Sequence, residues 1–331
     1  MKIIAYHVQP YEDAAVEKWS KEHGVEVKVV RDLITPETIE LAKGYDGIST
    51  QQVIPIKDPI IFEKMKEYGV KQISSRTAGV DMFDLDLARE YGISITNVPR
   101  YSPNAIAELA LTHAMSLLRN VKHIEKAMAK GDFTWDQKVI AKEIRNCTVG
   151  IIGTGFIGLT AAKLFKGLGA KVIGHDLFKN PNAEGILEYT ETLDELLAAS
   201  DVISLHLPLV DATYHLLNKD NIPKIKPGAI VVNTGRGALI DMDALVPYLE
   251  NGHLAGAGID VLENETLYVN QKIELDKVKG TYIEKLMNMD NVRFTGHFAF
   301  FSETAVDNLV SISLDNIEAQ CERGENQNCK N

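Results

Sequence analysis

Ten residues, Val149 to Gly158, read VGIIGTGFIG and constrain the fold of this chain more than any other segment. Val149–Ile152 is a short apolar run suited to a buried strand, and glycines follow at 153, 155 and 158. The spacing fits a strand–turn–helix whose backbone must come close to a pyrophosphate. Gly153 permits the tight turn, Gly155 removes a side chain where the phosphates approach, and Gly158 lets the helix pack onto the strand. The free N–H groups and the dipole at the helix start would hold the anion. A glycine triplet alone is weak evidence, because ordinary turns are also glycine-rich. Here the amphipathic segment Phe156–Leu168, the helix-ending Gly169 and the strand Ala170–Gly174 leading into His175 and Asp176 complete the unit. A carboxylate at Asp176 accepts hydrogen bonds from ribose hydroxyls and repels a further phosphate, so NAD is expected over NADP. Lys179, three residues on, could soften that preference or simply be solvated.

A chain of 331 residues with 45% hydrophobic content exceeds the size at which single cores stop growing, so two domains are expected. The net charge of -11 and pI near 5.4 disfavour nucleic acid or an anionic membrane as the main partner. Cys147, Cys321 and Cys329 show no metal-ligand spacing and suit reduced thiols in the cytoplasm, without a bound metal. The run Ile3–Tyr6 is too short for a secretory signal, and no stretch approaches the roughly 18 apolar residues of a membrane span.

Short apolar strands alternate with helical patterns, which predicts parallel α/β architecture with helices on both sheet faces. Expected strands in the first hundred residues are 2–6, 25–30, 47–49, 70–74 and 93–97, without a glycine fingerprint. A second series from Thr148 contains strands 149–152, 172–174, 202–207, 229–233, 256–260 and 292–295, and this is the expected cofactor domain. Ser102-Pro103 is an N-cap and first-turn pair opening a helix with Ile106, Leu109, Ala110, Ala114 and Leu117 at helical spacing. That helix is expected to bridge the domains or to pack on another subunit. A last helix carries Ala305, Leu309, Ile312 and Ile317, and the polar tail from Glu322 onward is placed with the first domain. The expected division is thus 1–100 with 301–331, and 101–300.

Ligands of open α/β sheets bind outside the carboxyl ends of the strands, so polar residues just after strands carry the functional reading. Arg236 follows AIVVN, Glu265 follows GIDV by a few residues, and His297 follows VRFTG. The planar guanidinium between Gly235 and Gly237 matches a small carboxylate. If Glu265 meets His297, its charge favours the imidazolium and keeps a proton at hand for a developing alkoxide. Together the three suit hydride transfer to a 2-oxo acid: Arg236 holds the carboxylate, His297 protonates the carbonyl oxygen, and neutral His297 is the base in reverse. Each has a plainer alternative: an ion pair for Arg236, a solvated carboxylate for Glu265, a structural imidazole for His297. Spacing does not show that they converge.

The motifs SRTAGVD (75–81), NVPRYSPNAIAE (97–108), TVGIIGTGFIG (148–158), NTGRGALID (233–241), GIDVLENE (258–265) and GHFAF (296–300) together resemble the D-2-hydroxyacid dehydrogenase family, near its D-lactate and D-2-hydroxyisocaproate members. The resemblance covers nearly the whole chain. It implies two doubly wound parallel-sheet domains, a Rossmann NAD domain and a flavodoxin-like substrate domain, with the active site in a cleft between them, usually in a homodimer. It implies Arg236, Glu265 and His297 as the catalytic set. It implies Ala78, Gly79 and Tyr101 on the substrate side and Phe300 in the pocket wall. For NAD it implies the glycines Gly153, Gly155 and Gly158 with Thr154, Phe156, Ile157, Asp176, His206, Pro208, Thr234 and Asp260, the last holding the carboxamide. Read without the family, Tyr101 has a packing aromatic as its alternative, Phe300 is more often core than pocket, and His206 is equally a satisfied buried histidine.

Two positions depart from the family pattern. Gly296 stands where relatives commonly carry proline before the histidine, which frees the backbone. Thr50 stands where D-lactate enzymes tend to place a tyrosine over the substrate, which implies room for oxo acids larger than pyruvate, such as 2-oxoisocaproate. The competing functions are a relative acting on phosphoglycerate, glyoxylate or formate, and a non-catalytic NAD-sensing scaffold resembling the C-terminal binding proteins. PRYSPNAIAE leans toward the D-lactate group, and no long disordered segment flanks the core as a scaffold would need.

Overall fold

The computed structural model describes residues 1–324 and 326–331. These fall into two compact units, Met1–Ser102 with Phe301–Asn331, and Pro103–Phe300.

In the first unit, β1 (Ile3–Tyr6), β2 (Val27–Val29), β3 (Gly47–Thr50), β4 (Gln72–Ser75) and β5 (Ser94–Thr96) form a parallel sheet in the order β2-β1-β3-β4-β5. The order is that of flavodoxin-like sheets. Helices α1 (Asp13–His23), α2 (Pro59–Tyr68) and α3 (Leu85–Glu90) connect the strands. Both faces are covered, so β1 is apolar throughout rather than alternating. Ile4 and Tyr6 pack with Phe62 and Met65 of α2, while Ile3 and Ala5 pack with Trp19 of α1 on the other face.

The second unit begins with α4 (Pro103–Leu118) and α5 (Val121–Met128). Its strands are β6 (Thr148–Ile152), β7 (Lys171–His175), β8 (Glu188–Tyr189), β9 (Val202–Leu205), β10 (Ile230–Asn233), β11 (Gly256–Ile259) and β12 (Val292–Phe294). All pair in parallel, in the order β12-β11-β10-β9-β6-β7-β8. Strand β8 has only two residues, too few for a periodic signal, and was not among the expected strands. The intervening helices are α6 (Phe156–Gly167), α7 (Leu193–Ala199), α8 (Met242–Glu250) and α9 (Tyr282–Asn288). Val149 and Ile151 pack under Ala161, Ala162 and Phe165 of α6 and Ala107, Ala110 and Ala114 of α4, whose small side chains allow close approach. Helix α4 also crosses β10, β11 and β12.

Helix α10 (Glu303–Arg323) returns to the first unit, where Val310, Leu314 and Ile317 cover the β1 face. The polar tail then lies along β5: Cys329 bridges Thr96 antiparallel, and Lys330 N–H donates to Ile95 O at 2.9 Å. Asn326 and Asn328 bond the Asn316 side chain. The tail thereby covers an edge strand whose groups would otherwise be unpaired.

Candidate active site

The strand order of the second sheet reverses between β6 and β9, the switch point at which doubly wound sheets bind ligands. Register puts Ile152 beside His175 and Leu205, Leu205 beside Asn233, Asn233 beside Ile259 and Ile259 beside Phe294. The residues that follow, Gly153, Asp176, His206, Thr234, Asp260 and Thr295, therefore line one carboxyl edge. Sequence spacing alone could not establish this alignment.

The glycine turn fits a dinucleotide. Gly153 has φ +88°, and a Cβ there would lie 2.6 Å from the His206 carbonyl oxygen. A Cβ on Gly158 would collide with the Gly153 carbonyl, whereas at Gly155 it would meet nothing within 4 Å, leaving space before the first N–H groups of α6. Gly155 is the N-cap of α6 and supplies no side-chain cap, so these donors remain for an anion. Phe156 and Pro208 are exposed, and Ile157 is half-buried. Two buried polar atoms, Thr234 Oγ1 and His206 Nδ1, have no hydrogen-bond partner among the described residues. His206 Nε2 meets Ser204 Oγ at 2.9 Å, and desolvation lowers its pKa to about 4, which keeps the ring neutral.

Asp176 is half-buried at the end of β7. Its Oδ2 accepts from Thr154 N–H at 2.6 Å and from Thr154 Oγ1 at 3.2 Å. Thr154 Oγ1 also meets Tyr189 Oη at 2.7 Å, and the Asn180 side-chain amide donates to Thr154 O at 2.9 Å. The residue between the first two glycines is thus clamped by β7, β8 and their connection. Tyr189 and Asn180 escaped sequence reading because both lie outside the fingerprint. Lys179 pairs with Glu191 at 3.2 Å.

Arg236 is half-buried in a loop stapled by Asn233, whose side chain donates to Arg236 O at 2.9 Å and accepts from Gly235 N–H at 3.0 Å. The guanidinium Nη1 donates to Gly235 O at 2.9 Å, and no carboxylate among the described residues pairs with it. Gly237 serves packing rather than open space: a Cβ would overlap the Leu262–Glu263 peptide. Its absence brings the Arg236 loop against the segment entering Glu265. His297 Nδ1 lies 2.7 Å from Glu265 Oε1. A carboxylate there places the proton on Nδ1, which leaves Nε2 as the nitrogen that can accept a proton when the ring is neutral and donate one when it is protonated. The Phe300 ring meets the imidazole edge-on, with centroids 6.2 Å apart.

The backbone under the imidazole is strained. Gly296 has φ +62° and His297 φ +70°, a conformation that costs a non-glycine residue about 1 kcal/mol. Asp260 holds it there. Its carbonyl accepts from His297 N–H at 2.6 Å, Oδ1 from Phe298 N–H at 2.8 Å, and Oδ2 from Ala299 N–H at 3.0 Å. Asp260 has no exposed surface, so its carboxylate faces this loop and not the open cofactor surface expected for a carboxamide ligand.

On the first unit, Ala78 and Gly79 follow β4 and are half-buried, with Ala78 O accepting from the Asn97 side chain. Tyr101 is half-buried, and its carbonyl accepts from Asn308 at 2.6 Å. Thr50 departs from expectation. It ends β3 with no exposed surface and its hydroxyl 3.4 Å from Gln52 Oε1, because strand alternation turns it into the unit and Gln51 outward. Arg76, in the SRTAGVD motif, is 1% exposed. It bonds Glu12 Oε1 at 2.8 Å, Ser49 Oγ at 3.1 Å and the carbonyls of Tyr6 and His7, tying together the carboxyl ends of β1, β3 and β4. Its motif gave no sign that the guanidinium was structural.

The chain belongs to the D-isomer-specific 2-hydroxyacid dehydrogenases, NAD-dependent oxidoreductases, whose NAD-binding domain model matches residues 111–299. Among curated relatives, it is 47% identical over 315 residues to a D-2-hydroxyacid dehydrogenase (NAD(+)) of Clostridioides difficile, covering 95% of each chain. It is 45% identical over 325 residues to a D-lactate dehydrogenase of Lactiplantibacillus plantarum, covering 98% of this chain and 97% of the relative. The solved structure of a D-2-hydroxyisocaproate dehydrogenase superposes with a TM-score of 0.92 at 38% identity, covering 100% of this chain and 99% of that one.

Proposed function

We propose that this enzyme reduces 2-oxo acids to (R)-2-hydroxy acids, with His297 and Glu265 as the acid–base pair and Arg236 binding the substrate carboxylate. The observation that carries the residue assignment is the 2.7 Å His297–Glu265 contact, on the same sheet edge as the glycine cradle. Arg236 offers a fork without a carboxylate partner among the described residues, suited to donating two parallel hydrogen bonds to the carboxylate of a 2-oxo acid. Bound NADH supplies the hydride that reduces the carbonyl carbon. His297 Nε2–H gives its proton to the carbonyl oxygen, while Glu265 holds the ring through Nδ1. In the oxidative direction neutral Nε2 takes the hydroxyl proton.

NAD binding is assigned to Pro103–Phe300, through the glycines with Thr154, Phe156, Ile157, Asp176, His206, Pro208 and Thr234. Ala78, Gly79 and Tyr101 of the other unit are assigned to the substrate, as is Phe300. Thr50 is buried and does not line the pocket, so acceptance of oxo acids larger than pyruvate is proposed from the D-2-hydroxyisocaproate dehydrogenase among the similar structures. The names of the relatives include both D-lactate and D-2-hydroxyisocaproate enzymes. The test follows NADH absorbance over pyruvate, 2-oxoisocaproate, glyoxylate and hydroxypyruvate, then resolves the product enantiomer. Turnover of a 2-oxo acid to the (R) product is expected, with 2-oxoisocaproate at least matching pyruvate in kcat/KM. A strong pyruvate preference refutes the larger pocket, and NADH binding without turnover of any oxo acid favours the scaffold reading.

No helix of the described residues is long and apolar enough to cross a membrane. The free cysteines and the dependence on NAD support a cytoplasmic setting. Homodimerisation is supported by an apolar stretch in which Trp135 is fully exposed and Phe133 and Ile140 largely so. Sedimentation should give twice the chain mass, and Trp135→Glu should shift it toward the monomer; a wild-type monomer at micromolar concentration overturns this.

A further inference from the structure

The strained loop under His297 is anchored from behind by a third histidine that none of the motif assignments used. His113 projects from α4, is 2% exposed, and brings Nε2 to 3.1 Å from Thr295 Oγ1. Thr295 Oγ1 donates to Asp260 Oδ1, and Asp260 receives the N–H groups of His297, Phe298 and Ala299. The close approach of α4 to β11 is built in: a Cβ on Gly258 would lie 2.6 Å from the His113 Cβ. We propose that His113 is a positioning residue for the catalytic imidazole, fixing the Thr295 hydroxyl and, through it, the Asp260 carboxylate that imposes the left-handed backbone at His297.

Proton counting fixes the tautomer. A threonine hydroxyl has one proton, and here it is given to the carboxylate, so its lone pair must accept from His113. His113 is therefore neutral with its hydrogen on Nε2, assigned from the network rather than seen directly. Burial works the same way, lowering its pKa to about 4 against the pull of Asp260. A chain of donors of this kind strengthens each member, and loosening its far end lets the loop relax away from productive geometry.

The inference rests on His297 being the acid–base group, and the experiment separates the two claims. His113→Leu keeps bulk without a donor, His113→Gln restores a donor, Thr295→Val breaks the next link, and His297→Ala tests the underlying assignment. In the full-length enzyme His113→Leu is expected to lower kcat roughly tenfold while the NADH Kd, read by fluorescence, moves less than about twofold. His113→Gln should recover most of kcat. Thr295→Val should match His113→Leu, and the double variant should be no worse than either, as for one shared route. If His113→Leu does not fold, Thr295→Val and His113→Gln carry the test. Unchanged kcat in His113→Leu, failure of glutamine to rescue, or an equal loss in NADH affinity overturns the relay. Retention of activity in His297→Ala instead overturns the assignment beneath it.

Discussion

His297 combines two properties that pull against each other: an imidazole held by Glu265 at 2.7 Å and a backbone at φ +70°. Strain of this kind persists only where neighbours over-determine the conformation, and here Asp260 does so. His297→Ala should cut kcat by roughly 10²–10⁴-fold with little change in NADH Kd, because the lost group is the one proposed to act on the substrate oxygen. Equal losses in both would contradict that role. Arg236→Lys should chiefly raise KM for the oxo acid, since a point charge cannot replace the fork. The adjoining Gly296 sits at φ +62°, which proline, locked near −65°, cannot adopt. Restoring the family-like residue with Gly296→Pro should therefore displace the loop and lower kcat at least about tenfold. Wild-type kcat and melting temperature in that variant would show that the loop reaches its geometry another way.

Strands and turns act as levers when their ends are pinned. At the end of β7, the Asp176 carboxylate, the proposed ribose ligand, holds Thr154 of the glycine turn. Asp176→Ala should accordingly loosen NADH binding and narrow its advantage over NADPH, measured as the ratio of kcat/KM values. An unaltered ratio would remove the ribose role. In the other unit, Arg76 and Glu12 pin β1, β3 and β4 from inside. Glu12→Ala strands a buried guanidinium and should cost about 3–5 kcal/mol in denaturant unfolding, whereas replacing both partners with apolar residues should cost less. A single variant as stable as wild type would show the pair to be solvated.

Across the whole molecule, His113 and His206 set an acid limit. Both have folded-state pKa values lowered to about 4 by desolvation, below the unfolded value of roughly 6.5. The unfolded chain thus binds more protons as the pH drops. The stability contribution is complete above about pH 6.5 and is lost between there and pH 4, on the order of 3 kcal/mol for His113. Urea midpoints measured over that range should fall, and His113→Gln should flatten the fall. An identical slope in that variant would mean that His113 titrates normally.

The glycine spacing, the apolar runs and the helix caps made the cofactor unit legible in the sequence, because each depends on neighbours along the chain. Buried parallel strands also read clearly, since both faces need apolar residues. The two-residue β8 carried no period, and Thr50 was mistaken for a lining residue because its orientation depends on sheet parity and on Gln52. Arg76, Asn233, Asp260 and Thr295 take their roles from partners distant in the chain or, for Asn233, from the local fold of its loop. Composition and local pattern therefore decided the architecture and the kind of chemistry. Three-dimensional packing decided which nitrogen of His297 is left open, what holds it in a strained backbone, and which charges are structural, because hydrogen bonds form between atoms that only folding brings within 3 Å.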